Sequence, residues 1–252
     1  MDWRSLHLMV ASPCYGGMVT QRYMKSVLDL LLHAGRAGIA VSVELLGNDS
    51  LIPRARNTLV AKFLDHRTAT HLLFVDVDIG FEVAQVLRML ALEEDVVAGL
   101  YPLKQQAWDE AARQRAAAGE PMATAALRYV GVPCEGEARQ ERDGFVTGEF
   151  AGAGFMLLRR AALQRLAAAH PETRYRYAHT SAAPSASPNQ YALFGEMIEP
   201  ETGHYLSEDY TFCWRWRALG GHIWLDTQGL LDHVGAWTFV GNPAARFPPP
   251  SP

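Results

Sequence analysis

The stretch His71-Leu72-Leu73-Phe74-Val75-Asp76-Val77-Asp78 decides how the rest of the chain is read. An apolar run ends abruptly in two carboxylates separated by one valine. Such a run, with no polar alternation, predicts a strand buried on both faces, as in a parallel sheet covered by helices. Ionised carboxylates inside that strand would each lose several kcal/mol of hydration, so Asp76 and Asp78 belong at its exit. That end is where open α/β sheets place their ligands. Two acids side by side there repel unless a cation lies between them. A hard divalent ion with oxygen ligands, brought together with a phosphate-bearing substrate, suits the place. The competing account is a strand followed by an acidic turn or a helix start, because Asp-x-Asp is short.

The flanking sequence alternates between strand and helix patterns. Residues 6–12 read as a first strand, followed by the loop Pro13-Cys14-Tyr15-Gly16-Gly17. Residues 18–34 carry Met18, Tyr23, Val27, Leu30 and Leu31 at helical spacing, with Gly35 and Gly38 closing the helix. Ile39 to Leu46 is rich in β-branched residues and reads as a second strand. Pro53 fits the first position of a helix running to about Asp65. After the acid-tipped third strand come a helix over Glu82 to Glu93 and a fourth strand over Asp95 to Leu100. This alternation predicts a doubly wound parallel sheet through residue 100.

Beyond it the pattern loosens: an Ala-rich helix or excursion at 107–120, short strands and turns over 126–150, and a buried strand at Gly152–Arg160. An Ala/Leu helix then runs to His170. The segment 178–190, rich in Ala, Ser and Pro, reads as a flexible loop and a candidate lid. A strand near 191–199, a helix from Ser207 and strands His222–Asp226 and Gly229–His233 complete the expected fold, before a Pro-rich tail.

The totals narrow the function classes. A chain of 252 residues suffices for one large α/β domain or two small ones. Its 49% hydrophobic and 20% charged composition is that of an ordinary globular protein. A net charge of −4 gives no general pull toward nucleic acid or an anionic membrane. Three scattered cysteines, Cys14, Cys134 and Cys213, form no metal or disulfide framework. With neither a signal-peptide pattern nor a run of about 20 apolar residues, the expectation is a cytoplasmic protein without stable membrane insertion.

Several further stretches could carry chemistry. Arg54, Arg56 and Asn57 at a helix start make a phosphate-binding corner or a solvated face. Gly16-Gly17 permits close ligand approach, and Tyr15 could stack on a base, though neither a dinucleotide fingerprint nor a P-loop is complete. Gly152 and Gly154 either lie flat beneath a substrate or permit tight strand packing. Ser207-Glu208-Asp209 reads as a helix start, yet Tyr210 stands where a capping box needs Glu or Gln, which leaves an acid for general-base work. His233 is either a hydrogen-bonded core residue or the imidazole that completes a two-aspartate site suited to Mn²⁺ or Mg²⁺.

Taken in order, Asp76-Val77-Asp78, Gly152-Ala153-Gly154-Phe155, Glu208-Asp209 with Trp214 and Gly220-Gly221, and finally His233 resemble GT-A-fold glycosyltransferases, family-2-like and Anp1-like enzymes in particular. The likeness spans about residues 6–237. It implies a GT-A-like α/β fold: one Rossmann-like, mostly parallel mixed sheet flanked by helices. A single domain would cover 1–240, with a nucleotide-binding half at 1–100, an acceptor-side half at 101–240 and a tail at 241–252.

The resemblance also implies roles. Asp76, Asp78 and His233 would hold Mn²⁺ or Mg²⁺ on the diphosphate of a nucleotide-sugar donor, and Glu208 and Asp209 would supply the catalytic base. Pro13, Tyr15, Asp49, Arg54, Arg56, Asn57, Asp76, Val77, Gly152 and Gly154 would contact the donor, with Asp49 only a loose match. No counterpart aligns with residues 104–147. The acceptor stays open among a small molecule, glycan, lipid, protein or modified nucleic acid, as does the oligomeric state. Two other readings stand beside this one: a metal-dependent nucleotidyl or phosphoryl transferase, and a nucleotide-sugar-binding module without turnover.

Overall fold

The computed structural model describes residues 3–176 and 187–247. The first part of the chain contains β1 (His7–Cys14), α1 (Gln21–Ala37), β2 (Ala40–Gly47), α2 (Ile52–Asp65) and β3 (His71–Val75). It continues with β4 (Ile79–Gly80), α3 (Val83–Ala91), β5 (Val96–Gly99), β6 (Tyr101–Gln106), α4 (Glu110–Ala117) and α5 (Met122–Ala125). Then come β7 (Leu127–Val130), β8 (Val132–Pro133), β9 (Glu141–Arg142), β10 (Phe145–Phe150), β11 (Phe155–Arg159) and α6 (Arg160–Ala169). The last part holds β12 (Met197–Ile198), β13 (Tyr205–Leu206), α7 (Glu208–Ala218), β14 (Ile223–Asp226), β15 (Asp232–Val234), β16 (Thr238–Val240) and α8 (Pro243–Arg246).

Local chemistry explains the helix limits. The Thr20 hydroxyl accepts the Tyr23 N–H at the start of α1, and Gly38 ends that helix in a left-handed conformation at φ 76°. Gly35 lies inside the helix rather than closing it. Pro53 occupies the first turn of α2, where its missing N–H costs nothing.

Among the described residues, the main sheet has nine strands in the order β2-β1-β3-β11-β5-β14-β10-β8, with β9 paired to β10. β10 and β11 run against the other seven. The expected α/β architecture, a mostly parallel mixed sheet flanked by helices, is what the chain adopts. The third and fourth expected strands, β3 and β5, are not neighbours, because β11 enters antiparallel between them. Its Phe155-Met156-Leu157-Leu158 is apolar on both faces and fully buried, so it takes a central place.

The strand period of two sorts β3 between two cores. Leu72 and Phe74 join a cluster with Leu59, Phe63, Leu166, Phe212 and Trp216, on the side of α2, α6 and α7. Leu73 and Val75 face Tyr23, Leu30, Val86 and Met89, on the side of α1 and α3. With every residue of β3 buried, Asp76 is the first position where a carboxylate can reach the rim.

Other expectations shift. The strand near 191–199 is reduced to β12, and the one over Gly229–His233 becomes the short β15, outside the main sheet. β15 lies between β16 and β4, with His233 opposite Ile79. The expected lid, 178–190, falls mostly outside the described residues; at its end, Asn189 donates to Asp65 at 2.7 Å. The expected tail is packed as far as Phe247. Arg246 in α8 grips the buried Glu120 and the carbonyls of Thr124 and Leu127. Among the described residues, no helix is long and apolar enough to cross a membrane.

Candidate active site at the carboxyl rim of the sheet

The turn leaving β3 is fixed by its backbone. The Asp76 N–H donates to the Gly154 carbonyl at 2.9 Å, and the Ile79 N–H returns to the Asp76 carbonyl at 2.9 Å. The Val77 carbonyl accepts both the N–H and the hydroxyl of Thr20, while its side chain packs toward the core. The two acids diverge from this turn. Asp76 Oδ1 receives Arg56 Nη2 at 3.0 Å. Asp78 Oδ1 faces His233 Nε2 at 3.5 Å, and Asp78 Oδ2 holds the Lys104 ammonium.

Arg56 is the hub of the acidic cluster. Only 4% exposed, it sends Nη2 to Asp76, Nε to Glu208 at 3.3 Å and Nη1 to the Ala153 carbonyl at 3.1 Å. A planar guanidinium serves these three directions from three separate nitrogens held in one rigid plane. Burial works against its charge, yet Asp76, Glu208, Tyr101 and Asp209 raise its pKa above the usual arginine value. Glu208 is pushed above the usual glutamate range, first by burial and then by the adjacent Asp209, and Arg56 offsets only part of this. Asp209 Oδ1 accepts the Tyr210 N–H at 2.9 Å and the Ser207 hydroxyl, and Oδ2 accepts the Ala153 N–H at 3.4 Å. Ser207 sits at the N-cap of α7 without bonding its backbone, its hydroxyl going to Asp209 instead.

The glycines are closely packed. A Cβ on Gly152 would lie 2.2 Å from the Tyr101 hydroxyl, and one on Gly154 would meet Tyr101 at 2.8 Å and Asp76 Oδ2 at 2.9 Å. Buried Tyr101 accepts the Gly154 N–H through its hydroxyl and makes a T-shaped contact with His233, with centroids 5.5 Å apart. Burial, with Asp76 and Asp209 nearby, pushes this phenol well above its usual pKa, so it stays protonated.

The expected trio Asp76, Asp78 and His233 does not converge. Among the described residues, no group of three or more His, Cys, Asp or Glu side chains is placed to hold a metal ion together. Asp76 is turned to Arg56 instead, because the buried guanidinium needs carboxylate partners. Asp78 and His233 could together offer a cation one carboxylate oxygen and one imidazole nitrogen. The His233 Nδ1 donates to the Pro102 carbonyl at 2.7 Å, which fixes the tautomer and turns Nε2 to Asp78. A bare imidazole nitrogen facing a carboxylate oxygen needs a proton or a metal ion between them. Two protein donors, completed by phosphate oxygens and water, suit Mg²⁺ or Mn²⁺.

Other expected site residues have different partners. Arg54 does not stand with Arg56 as a phosphate corner: its Nε and Nη2 clasp Asp49, whose Oδ1 also accepts the Leu51 N–H. Asn57 is buried. It donates to the Pro53 and Phe194 carbonyls and accepts the Phe194 N–H at 2.9 Å, pinning that segment to α2. Pro13 and Tyr15 do lie at the carboxyl end of β1, next to β3, and Tyr15 is 63% exposed.

Two residues that sequence reasoning missed, Tyr101 and Lys104, lie within four residues of the end of the strand expected over Asp95–Leu100. Residues leaving the carboxyl end of a second parallel strand were a usable signal. Two cavities of about 500 and 370 Å³ open elsewhere, one beside Arg142, Phe145 and Gln228, the other beside Arg22, Glu82 and Asp232. Neither is lined by the acids at the rim.

No family model matches the chain, and no curated protein matches it. Among solved structures, A197 from STIV is similar at a TM-score of 0.50 and 15% identity, over 91% of this chain and 86% of that one. That likeness shows a shared fold. TarS from S. aureus, residues 1–349, is similar at a TM-score of 0.36 and 14% identity, over 75% of this chain and 54% of that one. A mannose-1-phosphate geranyltransferase from Thermus thermophilus gives 0.36 and 15%, over 67% and 62%. The last two likenesses are too loose to bear on chemistry.

Proposed function

We propose that this chain is a transferase acting on nucleotide-sugars, specifically a metal-dependent glycosyltransferase of the family-2-like or Anp1-like kind that moves a sugar to a hydroxyl acceptor. The observation that supports this reading is one buried guanidinium, Arg56, joining Asp76 at the end of β3 to Glu208 at the start of α7, while Asp78 meets His233 beside them. Asp78 and His233 would hold Mn²⁺ or Mg²⁺, which neutralises charge on the departing diphosphate. Asp76, held by Arg56, orients toward the donor. Glu208, with a pKa above the usual glutamate range, accepts the proton of the attacking hydroxyl, a role worth about 10²–10⁴-fold. Asp209 fixes the glycine loop through the Ala153 N–H. Tyr15 offers a face for the base at the end of β1.

Melting curves with a panel of nucleoside diphosphates, with and without Mn²⁺, test the proposal. Metal-dependent stabilisation is expected, and Asp78→Asn should remove it together with nucleotide-sugar turnover. Indifference to every nucleotide would refute the reading.

A further inference from the structure

Lys104 contributes a cation that the chemistry above leaves unused. Its ammonium sits on Asp78 Oδ2, while the other oxygen of the same carboxylate faces His233 Nε2. The Lys104 side chain is 38% exposed, so the ammonium can leave Asp78 without being stranded in an apolar interior. Its stem is guided from one side: a Cβ on Gly235, in the turn after β15, would lie 3.1 Å from Lys104 Cδ. The β6–β7 pairing shifts register between Pro102 and Gln106, so Lys104 lies in the irregular stretch of its strand. The same strand supplies the Pro102 carbonyl that orients His233. A divalent ion reached by Asp78 and His233 and an ammonium on that carboxylate are like charges a few ångströms apart, so each weakens the binding of the other.

We propose that Lys104 is an exchangeable counter-cation and a diphosphate ligand: it holds Asp78 until a divalent ion binds there, then carries its charge to the donor diphosphate. This rests on the nucleotide-sugar reading and adds a donor-binding residue to it. Two consequences have opposite signs. Lys104 should weaken metal binding to the protein alone, and it should strengthen diphosphate binding once metal is present. A merely structural ion pair would do neither.

The test titrates Mn²⁺ into the full chain, following the free-ion electron paramagnetic resonance signal, for wild type, Lys104→Met, Lys104→Gln and Asp78→Asn. Calorimetry with a nucleoside diphosphate panel in saturating Mn²⁺ follows. Losing a hydrogen bond to a charged group corresponds to about a tenfold change. Lys104→Met should therefore bind Mn²⁺ about tenfold more tightly and the diphosphate about tenfold more weakly, while Asp78→Asn loses Mn²⁺. If Lys104→Met does not fold, Lys104→Gln carries the same two readouts. Unchanged Mn²⁺ affinity, or unchanged diphosphate affinity, overturns the role of Lys104 while diphosphate binding by wild type still upholds the nucleotide reading. A wild type that binds no diphosphate overturns both.

Discussion

Replacing Arg56 with methionine removes the buried cation shared by Asp76 and Glu208 and should be the most damaging single change at this site. The side chains of Arg56 and Glu208 are 5% and 15% exposed, so little water can replace the guanidinium there. Asp76 keeps a third of its side chain in solvent and can rehydrate. Breaking a buried pair by removing one partner costs about 3–5 kcal/mol, and the partial exposure of Asp76 places this case near 3. For a chain of this size, that corresponds to a fall of about 6–12 °C in melting temperature. Glu208→Gln in the same background should recover part of the loss, because the unpaired charge is then gone.

The pH dependence has a definite sign. Glu208 already titrates above its ordinary value, so protonation stabilises the fold at low pH, and that contribution is lost as pH rises through its folded value. Without Arg56 its pKa climbs further. The gap between variant and wild type should thus widen with rising pH and narrow on acidification. Calorimetric melts across pH measure this directly. A shift below about 2 °C, or one independent of pH, would refute the hub role assigned to the guanidinium.

Gly152→Ala should lose about 1–3 kcal/mol by overpacking against Tyr101 and Val130, and Tyr101→Phe in the same chain should restore part of it. A urea midpoint equal to wild type for the single variant would contradict that contact. Asn57→Ala should lose about 2–4 kcal/mol, since it strands the buried N–H and C=O of Phe194, yet leave nucleoside diphosphate affinity unchanged. Weaker nucleotide binding at native stability would instead return Asn57 to the donor site. With Glu208 as the base, kcat/KM should rise through a pH above the usual glutamate range, and Asp209→Asn should move that rise downward by removing the neighbouring negative charge. An unmoved profile would remove Glu208 from the chemistry.

The sequence alone determined what is settled within a few residues. Five buried residues in β3 followed at once by two carboxylates dictate an acid-tipped strand, because charge cannot stay in a doubly covered sheet. Helix limits at Pro53 and Gly38, and the rim position of Glu208-Asp209, follow from equally local chemistry. Only the tertiary structure decided the partnerships. Placing β11 between β3 and β5 brings the glycine loop against Asp76, and pairing β15 with β4 carries His233 to Asp78 across more than 150 residues of sequence. Arg54 and Arg56 are identical in type and two residues apart. Yet α2 turns one to Asp49 and the other inward to Asp76 and Glu208, and a charge pattern has no means of distinguishing them. Lys104 and Tyr101 stayed unread for the same reason: a cation or a phenol acquires its role from the carboxylates and glycines that strand order sets beside it.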